Sequence, residues 1–404
     1  MSEPLVIIGN GMAAARLVEE LSQRALGRHA IAVIGQEPRL AYNRILLSPL
    51  LARDIERSEL ELRPADWWRE RGITLRYGCG ATAIDAAARS VALGDGTRLR
   101  FGKLVLATGS HATPLAVPGA DLPGVLTFRD LEDVAAIDRL AAARARVVVI
   151  GGGLLGLEAA YGLAKTGARV TLVHLMDRLM ERQLDAQAAA MLRHAVEAKG
   201  IAVLCEAKTA AMIGTRHVEA VVLADGRRIV ADAVVVAVGI TPNVALARAA
   251  GLATDRGVLV DDGLQTSAPG IFAIGECAQH GGECYGLVEP AYEQATVLAR
   301  RLAGEDAHYR GSVVATNLKV SGIHVFSAGD FIGQPGTERI VLSDPGLKTY
   351  KKLVIAQQRL AGTVLYGDTS DGLWYGELIR SGETIDRFRD ELVFGRALVL
   401  RRAA

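Results

Sequence analysis

The sequence predicts an α/β chain with two doubly wound parallel sheets and a smaller C-terminal α+β domain. Three observations predict it. An apolar strand, a glycine turn and a helix follow one another at 5–21 and again at 146–165. Each is followed by a hairpin on Asp-Gly and an apolar strand ending in a small residue, a spacer and glycine. The first copy runs from Leu93-Gly94-Asp95-Gly96 to Ala107-Thr108-Gly109, the second from Leu223-Ala224-Asp225-Gly226 to Ala237-Val238-Gly239. From Ser312 the texture changes to short strands. A unit that recurs in this way is one architecture used twice.

Leu5-Val6-Ile7-Ile8 is short, apolar and rich in β-branched residues, the pattern of a buried parallel strand. Gly9 permits a sharp turn, Gly11 lets backbone approach a pyrophosphate, and Ala14 is the small residue that lets helix and strand pack closely. Met12 and Ala13 open the helix, whose first N–H groups and positive dipole end suit phosphate. Residues 30–34 form a second strand. Glu37, the nearest acid beyond it, is placed to accept hydrogen bonds from an adenosine ribose. Residues 40–51 are apolar without a clean period and read as a loop and helix that contact the ligand. Pro64 falls in the first turn of a helix, and Asp66 suits its N-terminus. A strand at 73–77, a hairpin at 91–100 and a strand at 103–106 follow. Proline and glycine cluster between 114 and 124 and mark a domain junction.

The second copy carries the full pattern Gly151-x-Gly153-x-x-Gly156 between a strand and a helix, with Leu155 in the first helical turn. A strand at 167–173, a helix at 185–199, a strand at 201–205 and a strand at 232–238 complete it, closing at Gly239. His174 occupies the place where an acid would bind a ribose 2′-hydroxyl. It could accept that hydroxyl or, with Arg178, meet a 2′-phosphate. A nucleotide with a free 2′-hydroxyl and one with a 2′-phosphate both stay open, and the lack of an arginine pair directly after the strand favours the former. A third apolar strand, at 270–274, delivers Gly275 and Glu276, and a helix covers 289–303. Strands are expected at 320–326, 339–342, 352–357 and 362–366. Two dinucleotide folds of the Rossmann type imply two dinucleotides.

Composition narrows the function. Half of the 404 residues are hydrophobic and the formal net charge is +1, so neither a nucleic-acid surface nor an anionic membrane partner is expected. The chain enters a strand at once, without a basic leader or cleavage site, and no apolar run approaches a membrane span. Cytoplasmic residence is the expectation. The four cysteines are scattered and contain no CxxC. Cys277, His280 and Cys284 match no common zinc or iron–sulfur spacing. No metal site is expected, and Cys277 reads as a small core residue.

Gly9-x-Gly11, Ala107-Thr108-Gly109, Gly151-x-Gly153-x-x-Gly156 and Gly275-Glu276, in this order, resemble the two-dinucleotide flavoprotein reductases, the glutathione-reductase-like and ferredoxin-reductase-like enzymes. The resemblance covers nearly the whole chain. A narrower one rests on 42–48, 179–185, 275–278, 284–288 and 318–322. These are similar to the flavin module of assimilatory NAD(P)H-nitrite reductases and to the FAD electron-transfer subunit of assimilatory nitrate reductases.

The resemblance implies FAD in the first cradle and NAD(P)H in the second, with the NAD(P) domain (116–239) inserted in the FAD domain (1–115 and 240–303) and an α+β domain at 304–404. It implies that Arg44 approaches the flavin or its pyrophosphate and that Ala107, Thr108 and Gly109 line the FAD site. Arg129 would meet the flavin side, and Glu276 would contact the ribityl chain in place of the usual aspartate. Glu158 would lie beside the nicotinamide. Pro49 departs from the pattern, because ferredoxin reductases usually carry a lysine after the Leu-Ser pair.

Hydride transfer between nicotinamide and flavin needs orientation and shelter from water more than it needs protein nucleophiles. The window 42–60 holds no cysteine, so thiol chemistry at the flavin is not expected. Electrons must then leave to a redox protein or subunit carrying iron–sulfur, haem or molybdenum centres. The expected acceptor is an assimilatory nitrate or nitrite reductase. The rivals are a rubredoxin or ferredoxin reductase of another pathway and a flavin-bound regulatory subunit that does not turn over.

Overall fold

The computed structural model describes residues 2–320 and 323–403. Ser321 and Gly322, the end of the 318–322 motif, lie outside them. Two compact units result. The first is Met1–Leu47, Glu56–His111 and Ile240–Ser312; the second is Ser48–Ile55, Ala112–Gly239 and Val313–Ala404.

In the first unit five parallel strands lie in the order Ile271–Ala273, Lys103–Leu106, Glu3–Ile8, His29–Gly35, Thr74–Tyr77. Successive side chains of a strand point to opposite faces, and Glu3–Ile8 serves two cores accordingly. Leu5 and Ile7 join Leu17, Leu21, Leu298 and Leu302, from helices Met12–Arg24 and Val288–Leu302, in one buried cluster. Val6 and Ile8 join Leu104, Leu106, Val91 and Leu93 in the other. The second face is covered by an antiparallel sheet of Ala81–Asp85, Ser90–Leu93 and Arg98–Arg100.

The second unit repeats the plan. Its parallel strands lie in the order Ala202–Leu204, Arg169–Val173, Arg146–Ile150, Ala233–Val236, Val125–Thr127, with an antiparallel sheet of Thr209–Ile213, Ala220–Leu223 and Arg228–Val230. The duplication read from the Asp-Gly hairpins extends to strand order. It differs only in the outermost strand. The first unit takes that strand from residues that follow the second copy, the second from residues that precede its glycine turn.

The helix expected at Pro64 covers Ala65–Glu70, with Pro64 itself as the N-cap. The C-terminal region of the second unit is an antiparallel sheet in the order Ala315–Val320, Ile323–Gly329, Arg359–Tyr366, Thr349–Ala356, Glu338–Asp344. Helix Gly372–Ser381 packs on it through Tyr375 and Leu378. Sequence reading misses this helix because Gly372 and Gly376 lower its propensity. Packing demands the first of them: a Cβ on Gly372 would lie 2.7 Å from Phe326 Cγ.

Asp185 ties this sheet to the helix Ala186–Glu197. It caps that helix by accepting from Ala188 N at 3.1 Å, accepts from Tyr350 Oη at 2.6 Å, and lies 3.3 Å from Nζ of the buried Lys352. Asp185→Ala is expected to cost about 3 kcal/mol of unfolding free energy, because it removes a cap and strands a buried ammonium. Urea denaturation measures this, and Lys352→Met in the same background should recover part of the loss.

Candidate functional site: two glycine cradles

The same hydrogen bonds build both glycine turns. Gly9 N donates to Ile34 O and Ala107 N to Ile8 O, each at 2.8 Å; Gly151 N donates to Val173 O and Ala237 N to Ile150 O, also each at 2.8 Å. The backbone is left-handed at both glycines, with φ +117° at Gly9 and +120° at Gly151. A Cβ on Gly9 would lie 2.0 Å from Ala107 O, and one on Gly151 would lie 2.2 Å from Ala237 O. Neither position admits a side chain, because the turn leans on the carbonyl of the neighbouring strand's end.

The next glycines answer to a different demand. Gly11 and Gly153 are the extended N-caps of helices Met12–Arg24 and Leu154–Thr166. A Cβ on either would meet nothing within 4 Å. The protein does not fill this space, and the helix N-terminal N–H groups open onto it, which is the cradle a pyrophosphate fits. Gly109 and Gly239, at the ends of the paired strands, likewise have positive φ and no neighbour within 4 Å. The third small residues pack inward. Ala14 is fully buried, and a Cβ on Gly156 would lie 1.9 Å from Gly151 O. The second cradle therefore tolerates nothing larger than glycine where the first holds alanine.

Around the first cradle, Glu37 accepts from Tyr42 Oη at 2.8 Å and forms an ion pair with Arg44, whose guanidinium also lies over the Tyr42 ring. Two residues expected to serve different parts of one ligand thus meet each other. Thr108 Oγ1 donates to Asn243 O at 2.9 Å, and Asn243 Nδ2 donates to Thr108 O at 2.8 Å. Glu276 accepts from Ser110 Oγ at 2.7 Å, and Gly275 N donates to the buried Gln294 Oε1 at 2.7 Å. Ala13 lies against Gly275, where a Cβ would come within 3.0 Å of its methyl. Cys277 is buried beside Leu106 and Ile274, and burial pushes its thiol up. His280 pairs with Asp262 at 2.9 Å. Among the described residues no group of three or more His, Cys, Asp or Glu could hold a metal ion.

Around the second cradle, the placement of His174 differs from its sequence reading. It is buried, its Nδ1 accepts from Gly152 N at 3.0 Å, and its Nε2 lies 3.0 Å from Glu181 Oε2. Both ring nitrogens are engaged, so His174 supports the glycine turn from below and does not offer an open nitrogen to a ribose 2′ position. Arg178 is held by Asp177 at 2.9 Å. Arg129 N donates to Asp133 Oδ2 at 2.7 Å, just ahead of helix Leu131–Ala142. Leu155 is partly buried in the first turn of Leu154–Thr166.

Glu158 lies on the second turn of the same helix and accepts from Ser48 Oγ at 2.5 Å. Burial lifts its carboxyl from the usual range to about 7, against the opposing pull of the Ser48 hydroxyl. Sequence reading missed Ser48, Ser110, Asn243 and Gln294. Polar residues outside a glycine motif carry no signal until folding brings them beside it.

One cradle of this kind stands in each unit of the chain. The chain belongs to the pyridine nucleotide-disulphide oxidoreductase family, which residues 3–297 match. Residues 315–383 match the rubredoxin NAD+ reductase C-terminal domain. The chain is 44% identical over 370 residues to nitrite reductase [NAD(P)H] of Bacillus subtilis, covering 91% of this chain and 46% of that protein. It is 41% identical, over 91% of this chain and 48% of the relative, to the assimilatory nitrate reductase electron transfer subunit of the same organism. It spans about half the length of these relatives. A solved ferredoxin reductase from Rhodopseudomonas palustris superposes with TM-score 0.87 at 29% identity, over 95% of this chain and 96% of that one. The disulphide in the family's name has no counterpart at 42–60, and all four cysteines are free.

Two outcomes follow from this geometry. Gly9→Ala should destabilise the protein by at least about 2 kcal/mol, whereas Gly11→Ala should cost less than about 1, since only the first meets backbone; chemical denaturation of the two variants compares them. Glu158 holds a proton in the folded state between pH 4.5 and about 7, where the unfolded chain has released it. It therefore makes stability fall as pH rises through that window, by about 3 kcal/mol at most. Glu158→Gln should flatten the curve and gain on the native protein above neutral pH, as read from denaturation midpoints across pH.

Proposed function

We propose that this chain is an FAD-dependent NAD(P)H oxidoreductase that passes electrons to an external redox protein, most simply an assimilatory nitrate or nitrite reductase. The observation that carries the reading is the pair of like-built cradles whose second glycines, Gly11 and Gly153, face open space. The bound cofactors supply the hydride exchange and the release of single electrons. The residues of the chain bind, orient and shelter them.

Gly11, Met12 and Ala13 present backbone N–H groups to the FAD pyrophosphate, with Gly9 and Ala14 shaping the turn. Glu37 and Arg44, held together, serve the adenosine side. Ala107, Thr108 and Gly109 line the site, braced by Asn243, and Glu276 is oriented toward the ribityl chain by Ser110. In the second cradle Gly151, Gly153, Leu155, Gly156 and Gly239 receive NAD(P)H. His174 holds the turn and Glu181, and Glu158 serves the nicotinamide. Arg129 serves the flavin. The domains proposed are 1–115 with 240–303 for FAD, 116–239 for NAD(P), and 304–404 as an α+β domain, although Ser48–Ile55 of the first range belongs to the second unit. Cytoplasmic residence is part of the proposal. Among the described residues no helix is long and apolar enough to cross a membrane.

The choice of acceptor rests on the names of the nitrite and nitrate reductase relatives. The near end-to-end likeness to a ferredoxin reductase favours a second reading, a rubredoxin or ferredoxin reductase of another pathway. Electron transfer to each purified acceptor separates the two.

Anaerobic addition of NADH or NADPH should bleach the flavin absorbance of the purified protein within the mixing time of a stopped-flow instrument. A flavin that stays oxidised with both rejects the enzyme reading. Gly11→Trp should purify without flavin, and a mutant with the native flavin absorbance would contradict the role given to the first turn.

A further inference from the structure

Residues Ser48–Ile55 stand, in sequence, inside the first glycine-turn half, yet they belong to the second unit. They lie along one face of helix Leu154–Thr166. Ser48 meets Glu158 at 2.5 Å. A Cβ on Gly162 would lie 2.8 Å from Leu51 Cγ, so that glycine is the slot into which Leu51 fits. Asp54 pairs with Lys165. Glu158, Gly162 and Lys165 are spaced four and three residues apart, one stripe of a helix, and Ser48, Leu51 and Asp54 match them at intervals of three. An ion pair at one end and a leucine in a glycine slot fix the register of this strap, and that register delivers the Ser48 hydroxyl to the Glu158 carboxyl.

We propose that Ser48 is a positioning residue for Glu158: its hydroxyl holds the carboxyl in one orientation and selects the proton state in which the second cradle meets its nicotinamide. The part that concerns the nicotinamide rests on the function proposed above; the Ser48–Glu158 pair does not. Pro49, next in the strap, has no side-chain donor, so this position itself supplies no cation.

Other charged groups stand on the packed elements. Lys165 pairs with Asp54, and Arg53 lies 2.9 Å from Asp138 of helix Leu131–Ala142. Tyr161, one turn on, lies beneath Lys165 and Lys199. Arg129, Asp130 and Asp133 stand at the opening of Leu131–Ala142, where Asp130 caps the helix and Asp133 accepts from Thr127 and Arg129. Burial raises the pKa of Glu158 and the serine hydroxyl lowers it. A donor to the ionised form is worth more than one to a neutral acceptor, so its removal must move the titration toward higher pH.

The test reads the carboxyl itself, without turnover. Infrared pH-difference spectra of the full-length protein, native minus Glu158→Gln, isolate the Glu158 carbonyl band as it titrates. The native protein should show a transition near neutral pH. Ser48→Ala should move it up by about one pH unit, Ser48→Cys, a weak donor of similar size, should move it the same way, and Ser48→Thr should restore it. If Ser48→Ala fails to fold, the cysteine and threonine variants carry the comparison. A transition that stays in place when the hydroxyl is removed, or a native protein with no near-neutral Glu158 transition, overturns the proposal. The pH profile of flavin reduction by NADH then tests the nicotinamide part. A carboxyl that shifts while the flavin stays oxidised with either nucleotide sinks the proposed function and leaves the pair standing. A flavin that reduces while the carboxyl is unmoved does the reverse.

Discussion

Two backbone carbonyls, Ala107 O and Ala237 O, constrain everything else in this molecule. Each presses against a glycine of the neighbouring strand's turn so closely that a single methyl would occupy the same space. The approach is imposed by parallel pairing. Ala107 N must reach Ile8 O and Ala237 N must reach Ile150 O, and a chain leaving the strand there can escape only through a left-handed residue. Once the turn is made, the following helix starts with its N–H groups directed into space the protein leaves clear. The clear space beside both turns is thus a consequence of strand pairing, and the buried pattern of Glu3–Ile8 and Arg146–Ile150 supports it from both faces.

The two copies are alike in these turns and differ in what surrounds them. The first cradle is ringed by polar pairs, Glu37 with Arg44, Thr108 with Asn243 and Ser110 with Glu276, which suits a ligand kept in place. The second has a sealed histidine beneath its turn and a carboxyl on its helix whose ionisation lies near neutral pH. The C-terminal sheet is joined to the second unit through Asp185, which serves a helix cap, a tyrosine and a buried lysine at once.

Much of this was legible in the chain. Short β-branched runs and left-handed glycines are local necessities. Gly9, Gly11, Gly151, Gly153 and Gly156 declare the strand–turn–helix units in any context, and the repeated Asp-Gly hairpins declare the duplication. The C-terminal strands were legible for the same reason. The strand expected at 320–326 spans parts of two, Ala315–Val320 and Ile323–Gly329, because both are apolar enough to read as one run.

What the chain could not declare is which side chains meet. His174 stands at the sequence position of a ribose ligand, but the absence of a side chain at Gly152 lets the ring tuck under the turn, where both nitrogens are consumed. Ser48 gives no sign of belonging with Glu158, 110 residues away. Only the packing of Leu51 into the Gly162 slot brings them together. The sequence by itself determined the number of cradles, their turns and their order, since those depend on backbone geometry that glycine alone permits. The tertiary structure decided the polar partners around them, since a hydrogen bond between distant residues depends on helix register and burial, which no local pattern records.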